Sequence, residues 1–289
     1  MTRLQDQAMI AELHQRAWSA RATDKNLAEE IEDAKEAESG SMRVIKELAP
    51  RQYISPIRSI MRLGKAEHDR VTVAGFMRGQ SLLATANFQR YALFQSTIKD
   101  EFYKAVDRFV EIYPRILSTA EVRLGMAYRE ADFPTHGQIR DYFEYENKFR
   151  PIPSTSDWRL DGIANEQADD MREQIENEVK TVYNEATKEV FRRARTTLEN
   201  IAKQAKNYGT EKNSSPLRNI TIDNLKEMAE LVCTMNIAND PLLAEVGRDM
   251  VKEFSTVEAA DLRKDDDLRQ NVASAAERIL ARFKGVAVD

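Results

Sequence analysis

Basic side chains are concentrated in one stretch of the chain, residues 51–90. This stretch holds seven basic and two acidic residues, a net charge of +5. Three of the basic residues, at positions 58, 62 and 65, are spaced by four and three, which places them on one face of a helix. Such a face could contact phosphates or receive an acidic protein surface; the alternative is a face that is solvated or paired within the chain. The candidate binding residues here are Arg51, Arg58, Arg62, Lys65, Arg70 and Arg78.

A second candidate set lies in an aromatic-rich segment that ends in Pro151-Ile152-Pro153. Glu144 and Glu146 would share one face if this segment is extended. Paired carboxylates can divide the roles of general acid and general base, or bind a divalent cation. The alternative is an ordinary solvated surface. The candidate residues of this set are Tyr142, Glu144, Tyr145, Glu146 and Trp158.

Familiar catalytic and cofactor motifs are absent from the sequence. Gly64-Lys65 lacks the glycine five residues upstream that a Walker loop needs. The three histidines have no metal-ligand partner at three or four residues, and the one cysteine, Cys233, excludes an internal disulfide. We therefore expect a non-enzymatic protein without cofactor or metal. The rival hypothesis is an enzyme with an unfamiliar site around Glu144 and Glu146.

The composition predicts an all-α fold. Gly (10) and Pro (8) are scarce, and charged residues make up 31% of the chain, which favours long helices. Apolar residues recur every three or four positions through 165–207, a helix of roughly 60 Å, and again through 80–129, with a break or kink at Pro114. We expect these two helices to form a long antiparallel hairpin or bundle. The only extended segment is expected near 142–153, where prolines force extended backbone.

Three consecutive parts follow from this pattern: an N-terminal helical arm (1–49), a long-helix core (50–208) and a small C-terminal helical part (209–289). Within the arm, helices are predicted over 2–38 and 42–49. The segment 24–38 carries seven acidic residues and two lysines, and it complements the basic segment 51–90, within one chain or on a neighbouring copy.

The middle of the chain resembles a known family. The features that carry the resemblance are Phe102-Tyr103-Lys104-Ala105-Val106-Asp107-Arg108-Phe109, Tyr113-Pro114, Leu124-Gly125-Met126-Ala127, Asp132-Phe133-Pro134-Thr135, Phe143, Pro151-Ile152-Pro153 and Asp157-Trp158-Arg159. Over about 50–210 this order resembles an uncharacterised family of helical proteins from bacteriophages and bacteria, whose genes often lie near those for MoxR- or CobS-like AAA+ ATPases. The resemblance implies a phage or bacterial protein that works with a ring ATPase or counters host defence.

The leading hypothesis is a protein that self-associates and binds a partner protein through its long helices and charged patches. The alternative is a nucleic-acid-binding protein that uses the basic segment 51–90. No run approaches the roughly 18 uninterrupted apolar residues of a membrane span, and the N-terminus has no signal-peptide design. We expect a cytoplasmic protein, in the host cytoplasm if phage-encoded, that makes no contact with a membrane.

Overall fold

The computed structural model describes residues 7–154, 165–209, 217–237 and 239–283. Within these ranges the chain is mostly helical, as predicted, but it also contains two β-sheets, so the all-α prediction is wrong in part. The helices are α1 (Lys25–Ala34), α2 (Arg51–Val71), α3 (Phe88–Leu124), α4 (Asn165–Asn207), α5 (Asn219–Thr234), α6 (Pro241–Phe254), α7 (Ala259–Leu262) and α8 (Asp266–Ala281). The strands are β1 (Ala8–Arg16), β2 (Arg21–Asp24), β3 (Val44–Glu47), β4 (Thr72–Ala74), β5 (Ser81–Ala84) and β6 (Glu144–Arg150).

The larger sheet has the strand order β4-β5-β1-β6. β1 pairs antiparallel with β5, with Ala8 opposite Ala84, and β5 pairs antiparallel with β4. β2 and β3 form a separate antiparallel pair. β6 confirms the extended segment predicted near 142–153. The helices predicted over 2–38 and 42–49 are wrong except for α1, because strand pairing with distant residues overrides the helix propensity of Ala, Leu and Glu.

The chain forms two compact units, and each unit combines separated stretches of the sequence. Unit 1 comprises Met1–Glu12, Val71–Gln89 and Phe149–Asp289, and unit 2 comprises Leu13–Arg70 and Arg90–Lys148. This division differs from the consecutive parts 1–49, 50–208 and 209–289. Strands such as β1 and β6 bring residues together that are far apart in sequence, which periodicity along the chain does not report.

Unit 1 is built around α4, whose bounds match the predicted helix. Its buried face packs along α8 and α5, and α5 packs on α6. The expected hairpin partner, the helix predicted over 80–129, contributes most of its length to unit 2 instead, so the hairpin prediction is wrong. The buried positions of α4 include Val179, Tyr183, Ala186, Val190, Ala194, Leu198 and Ile201.

Unit 2 has an aromatic core supplied largely by α3. The rings of Trp18 and Tyr113 meet edge to face, 5.6 Å apart, and the Tyr113 hydroxyl donates to the carbonyl oxygen of Pro134 at 2.8 Å. α3 continues past Pro114 to Leu124, so the helix does not end at Pro114. The buried stripe on α3 is Ile98, Phe102, Ala105, Val106, Phe109, Tyr113, Ile116 and Ala120.

None of the helices in the described ranges combines the length and apolarity that crossing a bilayer requires.

A buried ion cluster fixes the β2–β3 ribbon within unit 2. Lys46 on β3 lies 3.2 Å from the carboxylate of Asp24 and 2.7 Å from that of Asp132, and it donates to the carbonyl oxygen of Ala127 at 2.7 Å. Burial lowers the pKa of Lys46, but the two carboxylates outweigh this effect and raise it. The hydrogen bond from the Leu27 amide, together with Lys46, lowers the pKa of Asp24. Lys46 and Asp24 are therefore held in their charged forms.

Candidate functional site: a basic groove along one helix

A groove runs along α2 in unit 2. It encloses about 680 Å³. We call it the α2 groove. Its lining residues are Gln15, Ser55, Arg58, Met61, Arg62, Lys65, Ala66 and Asp69. The structure thus brings the three predicted cations at positions 58, 62 and 65 together at one concave surface.

The helical period of α2 places these residues on one face. The buried stripe of the helix is Ile54, Ile57, Gly64, His68 and Val71. The groove stripe at 55, 58, 62, 65 and 69 follows the same spacing of three and four, one residue later along the chain. One residue corresponds to about 100° around a helix, so the cations lie beside the buried face rather than opposite it. Met61 and Ala66 add apolar surface between them.

The two arginines of the groove carry uncompensated charge. Arg58 donates to the carbonyl oxygen of Ser19 at 2.5 Å, and Arg62 donates to the Ser59 hydroxyl at 2.9 Å. Neither guanidinium forms an ion pair with a carboxylate of the described residues. Lys65, in contrast, lies 2.8 Å from Asp69 on the next turn. The groove therefore presents two permanent positive charges to a ligand, since arginine is not deprotonated in proteins.

A buried polar network lies under the groove. Gln15 on β1 donates to the carbonyl oxygen of Met61 at 3.1 Å and also bonds the Tyr145 hydroxyl. That hydroxyl donates to the side-chain oxygen of Gln95 at 2.5 Å, and the amide of Gln95 donates to the carbonyl oxygen of Gly64 at 2.9 Å. Burial raises the pKa of Tyr145. The network ties α2, α3, β1 and β6 together and fixes the groove wall.

Gly64 permits this close approach. A Cβ atom at position 64 would lie 1.9 Å from the Tyr145 hydroxyl oxygen, far inside any van der Waals contact. A glycine within a helical pattern is unfavourable relative to alanine, and this is the one sign of the contact in the sequence. Gln15 and Gln95, which complete the network, carry no comparable signal.

One turn further along α2, His68 is buried and neutral. Its Nδ1 lies 2.5 Å from the Tyr91 hydroxyl, which in turn donates to the side-chain oxygen of Asn147 at 3.4 Å. Burial lowers the pKa of His68 to about 4 and raises that of Tyr91. His68 is therefore part of the support beneath α2 and not a proton donor at neutral pH.

The other predicted cations lie outside the groove. Arg51, at the start of α2, pairs with Glu47 at 2.7 Å, and Arg70 pairs with Glu67 at 2.7 Å. Arg78 lies in the exposed turn between β4 and β5, which belongs to unit 1. The basic segment 51–90 is therefore divided between the two units, and Arg51 and Arg70 within unit 2 are paired with carboxylates.

The second candidate set is divided between surface and core. Tyr142 is exposed, while Tyr145 is buried in the network described above. Glu144 and Glu146 flank Tyr145 on β6 and share a face, as the extended segment predicted. Glu144 lies 3.4 Å from His14, and Glu146 lies 2.9 Å from Lys148, which lowers the pKa of Glu146. Trp158 lies outside the described residues.

The surroundings of the two glutamates are not those of a metal centre. Each carboxylate is compensated by a basic neighbour, and Glu144 has a second one in Arg16 at 3.5 Å. In the described part of the chain, no three His, Cys, Asp or Glu side chains are grouped so that they could hold a metal ion. The α2 groove is thus the site with the most distinctive geometry.

Comparisons with protein-family models, curated proteins and solved structures find no match to this chain. The resemblance to helical proteins of phages and bacteria therefore stays a prediction.

Proposed function

We propose that this protein is a binding protein that receives an acidic segment of a protein partner in the α2 groove. The observation that carries the proposal is the pair Arg58 and Arg62, one turn apart and without carboxylate partners in the described structure, beside the apolar surface of Met61. A segment that suits this surface is an amphipathic helix: two carboxylates one turn apart would pair with the two guanidinium groups, and apolar side chains beside them would contact Met61.

The chemistry of the groove favours binding over catalysis. Guanidinium groups orient and neutralise anions but do not exchange protons at physiological pH. The only carboxylate that lines the groove, Asp69, is paired with Lys65. The groups with strongly shifted pKa values near α2, His68 and Tyr91, are buried beneath it.

Several features favour a protein partner over nucleic acid. Asp69 places a carboxylate at one end of the groove, which a phosphate backbone would meet unfavourably. The lining residues include no aromatic side chain on which a base could stack. Unit 2 also has as many acidic as basic residues, so it lacks the excess of positive charge typical of nucleic-acid-binding domains.

Nucleic-acid binding remains the second candidate because Arg58, Arg62 and Lys65 are spaced as phosphate contacts on a helix would be. Such binding would weaken steeply with salt, in proportion to the number of phosphates neutralised. An acidic peptide held partly by apolar contact would depend less on salt.

Fluorescence anisotropy with labelled probes tests both candidates. The probes are a helical peptide with Glu and Leu at alternate turns, the same peptide with Lys in place of Glu, and single- and double-stranded oligonucleotides. We expect the Glu peptide to bind, and Arg58→Glu with Arg62→Glu to weaken its binding by at least about tenfold through two lost ion pairs and new repulsion. Arg108→Glu with Arg115→Glu, on the exposed surface of α3, is the control with the same change in charge.

The proposal is wrong if the Glu peptide binds no better than the Lys peptide, or if the control variant weakens binding as much as the groove variant. Binding of oligonucleotides alone, with a steep salt dependence that the groove variant removes, would establish the second candidate instead.

A further inference from the structure

A surface complementary to the α2 groove lies on the same unit, along α1. Ala28 and Glu32 are the buried positions of this helix. Apart from Glu32 and the buried Asp24, the acidic side chains of the segment 24–38 are exposed. The exposed acids are Glu29, Glu30, Asp33, Glu36 and Glu38. We call this surface the α1 acidic face.

Its charges are uncompensated. None of the five exposed acids forms an ion pair with any described residue. The buried Glu32 is different, because its carboxylate accepts from the backbone amides of Gly40 at 3.0 Å and Met42 at 2.6 Å. Glu32 thus fixes the turn after α1, while the exposed acids repel one another.

The spacing of the two surfaces matches. Glu29 and Asp33 are one helical turn apart, as are Arg58 and Arg62, so both pairs extend about 6 Å along their helix axes. Apolar surface accompanies the charges on both sides. Leu27 and Ile45 are exposed on α1 and on the strand against which it packs, and Met61 lines the groove.

The two surfaces do not satisfy each other within one chain. Arg58 is engaged with Ser19 and Arg62 with Ser59, and no ion pair of the described residues joins either arginine to α1. Opposite charges that remain unpaired within one copy can pair between copies. We propose that the α2 groove binds the α1 acidic face of a second copy of this chain.

This inference rests on the proposed function, since it names the acidic segment that the groove receives. A reciprocal arrangement, with α1 of each copy in the groove of the other, gives a two-fold dimer. A one-directional arrangement gives a ring or a chain. Both arrangements require the same contact, so one pair of charge reversals tests both.

The test uses two variants of the full chain and their mixture, studied by sedimentation velocity at low and high salt. Glu29→Arg with Asp33→Arg reverses the α1 acidic face, and Arg58→Glu with Arg62→Glu reverses the groove. We expect the wild type to self-associate, more strongly at low salt, and each variant alone to associate at least about tenfold more weakly. In the mixture each reversed surface meets its complement on the other variant, so association should return to near the wild-type level.

Circular dichroism and Trp18 fluorescence establish that each variant is folded. If a reversal impairs folding, disulfide trapping replaces it. In a Cys233→Ser background, Glu30→Cys and Arg62→Cys chains are mixed under oxidising conditions. We expect a mixed disulfide dimer, with little homodimer of either chain. The control pairs Glu30→Cys with Arg115→Cys, which lies outside the groove.

A wild type that stays monomeric at low salt would overturn this inference, as would folded variants whose mixture fails to associate. If the groove still binds the acidic peptide in an arginine-dependent way, the proposed function stands and only the second copy is excluded. If both the peptide and self-association fail, the proposed function falls as well.

Discussion

The two units differ in what they bury. In unit 1, the buried face of α4 carries aliphatic side chains and alanine together with Tyr183 and Phe191, and the buried polar residues of the described part are the uncharged Thr72 and Asn87. In unit 2, charged and titratable groups are buried instead, each held by partners distant in sequence. These groups are Asp24, Glu32, Lys46 and His68, and the uncharged amide of Gln95 is buried in the same unit.

This difference indicates a division of roles. A purely apolar helical core tolerates repacking, since hydrophobic contacts are not directional. A buried polar network favours a single arrangement of its side chains, because each buried donor or acceptor left without a hydrogen bond costs its full desolvation penalty. The polar network of unit 2 thus holds the α2 groove in one arrangement, while the core of unit 1 tolerates repacking. The five experiments below test this difference between the units.

The largest effect is expected from Lys46→Met. The substitution keeps the volume but leaves Asp24 and Asp132 without their cation, which should lower the free energy of unfolding of unit 2 by about 3–5 kcal/mol. Urea unfolding followed by Trp18 fluorescence, in a Trp158→Phe background, reports this unit. An equal loss for Lys226→Met, whose partner Glu258 is exposed in unit 1, would abolish the contrast.

Acid should destabilise unit 2 through His68. Its pKa is about 4 in the folded protein and 6.5 in the unfolded chain, so between these values the unfolded state binds the additional proton. The contribution of neutral His68 to the free energy of unfolding is therefore fully present above pH 6.5. About 3 kcal/mol of it is lost as the pH drops to 4. The same unfolding experiment across this range measures the slope. His68→Gln should make this slope markedly shallower; a slope of unchanged size in His68→Gln would exclude this assignment.

Two glycines in helices should respond differently to alanine. In unit 2, Gly64→Ala collides with the rigidly held Tyr145 hydroxyl, at an expected cost of about 2–3 kcal/mol. In unit 1, a Cβ at Gly247 would lie 2.8 Å from Sγ of the exposed Cys233, which can rotate away. At position 247 alanine gains up to about 1 kcal/mol of helix propensity over glycine, which offsets the cost of moving the Cys233 side chain.

Combining Gly64→Ala with Tyr145→Phe tests the cause of this cost. The double variant should lose less stability than the sum of the two single variants, because the colliding hydroxyl is gone. Simple additivity would show that Tyr145 is not what resists a side chain at position 64.

The smallest effect is expected at the surface of unit 1. Lys188 lies 2.8 Å from Glu185, and both side chains are largely exposed. Lys188→Ala should change the free energy of unfolding by about 0.5 kcal/mol or less. Thermal unfolding monitored by circular dichroism measures this; a loss comparable to that of Lys46→Met would remove the distinction between paired charges at the surface and in the core.

The accuracy of the sequence-based predictions depends on whether a feature is local or needs partners distant in sequence. The bounds of α4 agree with the pattern of Val179, Val190 and Leu198 because helix periodicity is a local property. The face that carries Arg58 and Arg62 was predicted for the same reason. β1 was predicted as a helix because its residues are strong helix formers and its pairing with β5 is seventy residues distant.

Residue types and their spacing are enough to predict the helical periods of α3 and α4, the basic and acidic faces of unit 2 and the extended run before Pro151. The tertiary structure alone decided which of the cations remain unpaired, because that depends on whether a carboxylate approaches each one in space. It also decided that Tyr145 supports a groove rather than facing solvent, since hydrogen bonds to Gln15 and Gln95 join positions that only the folded chain brings together.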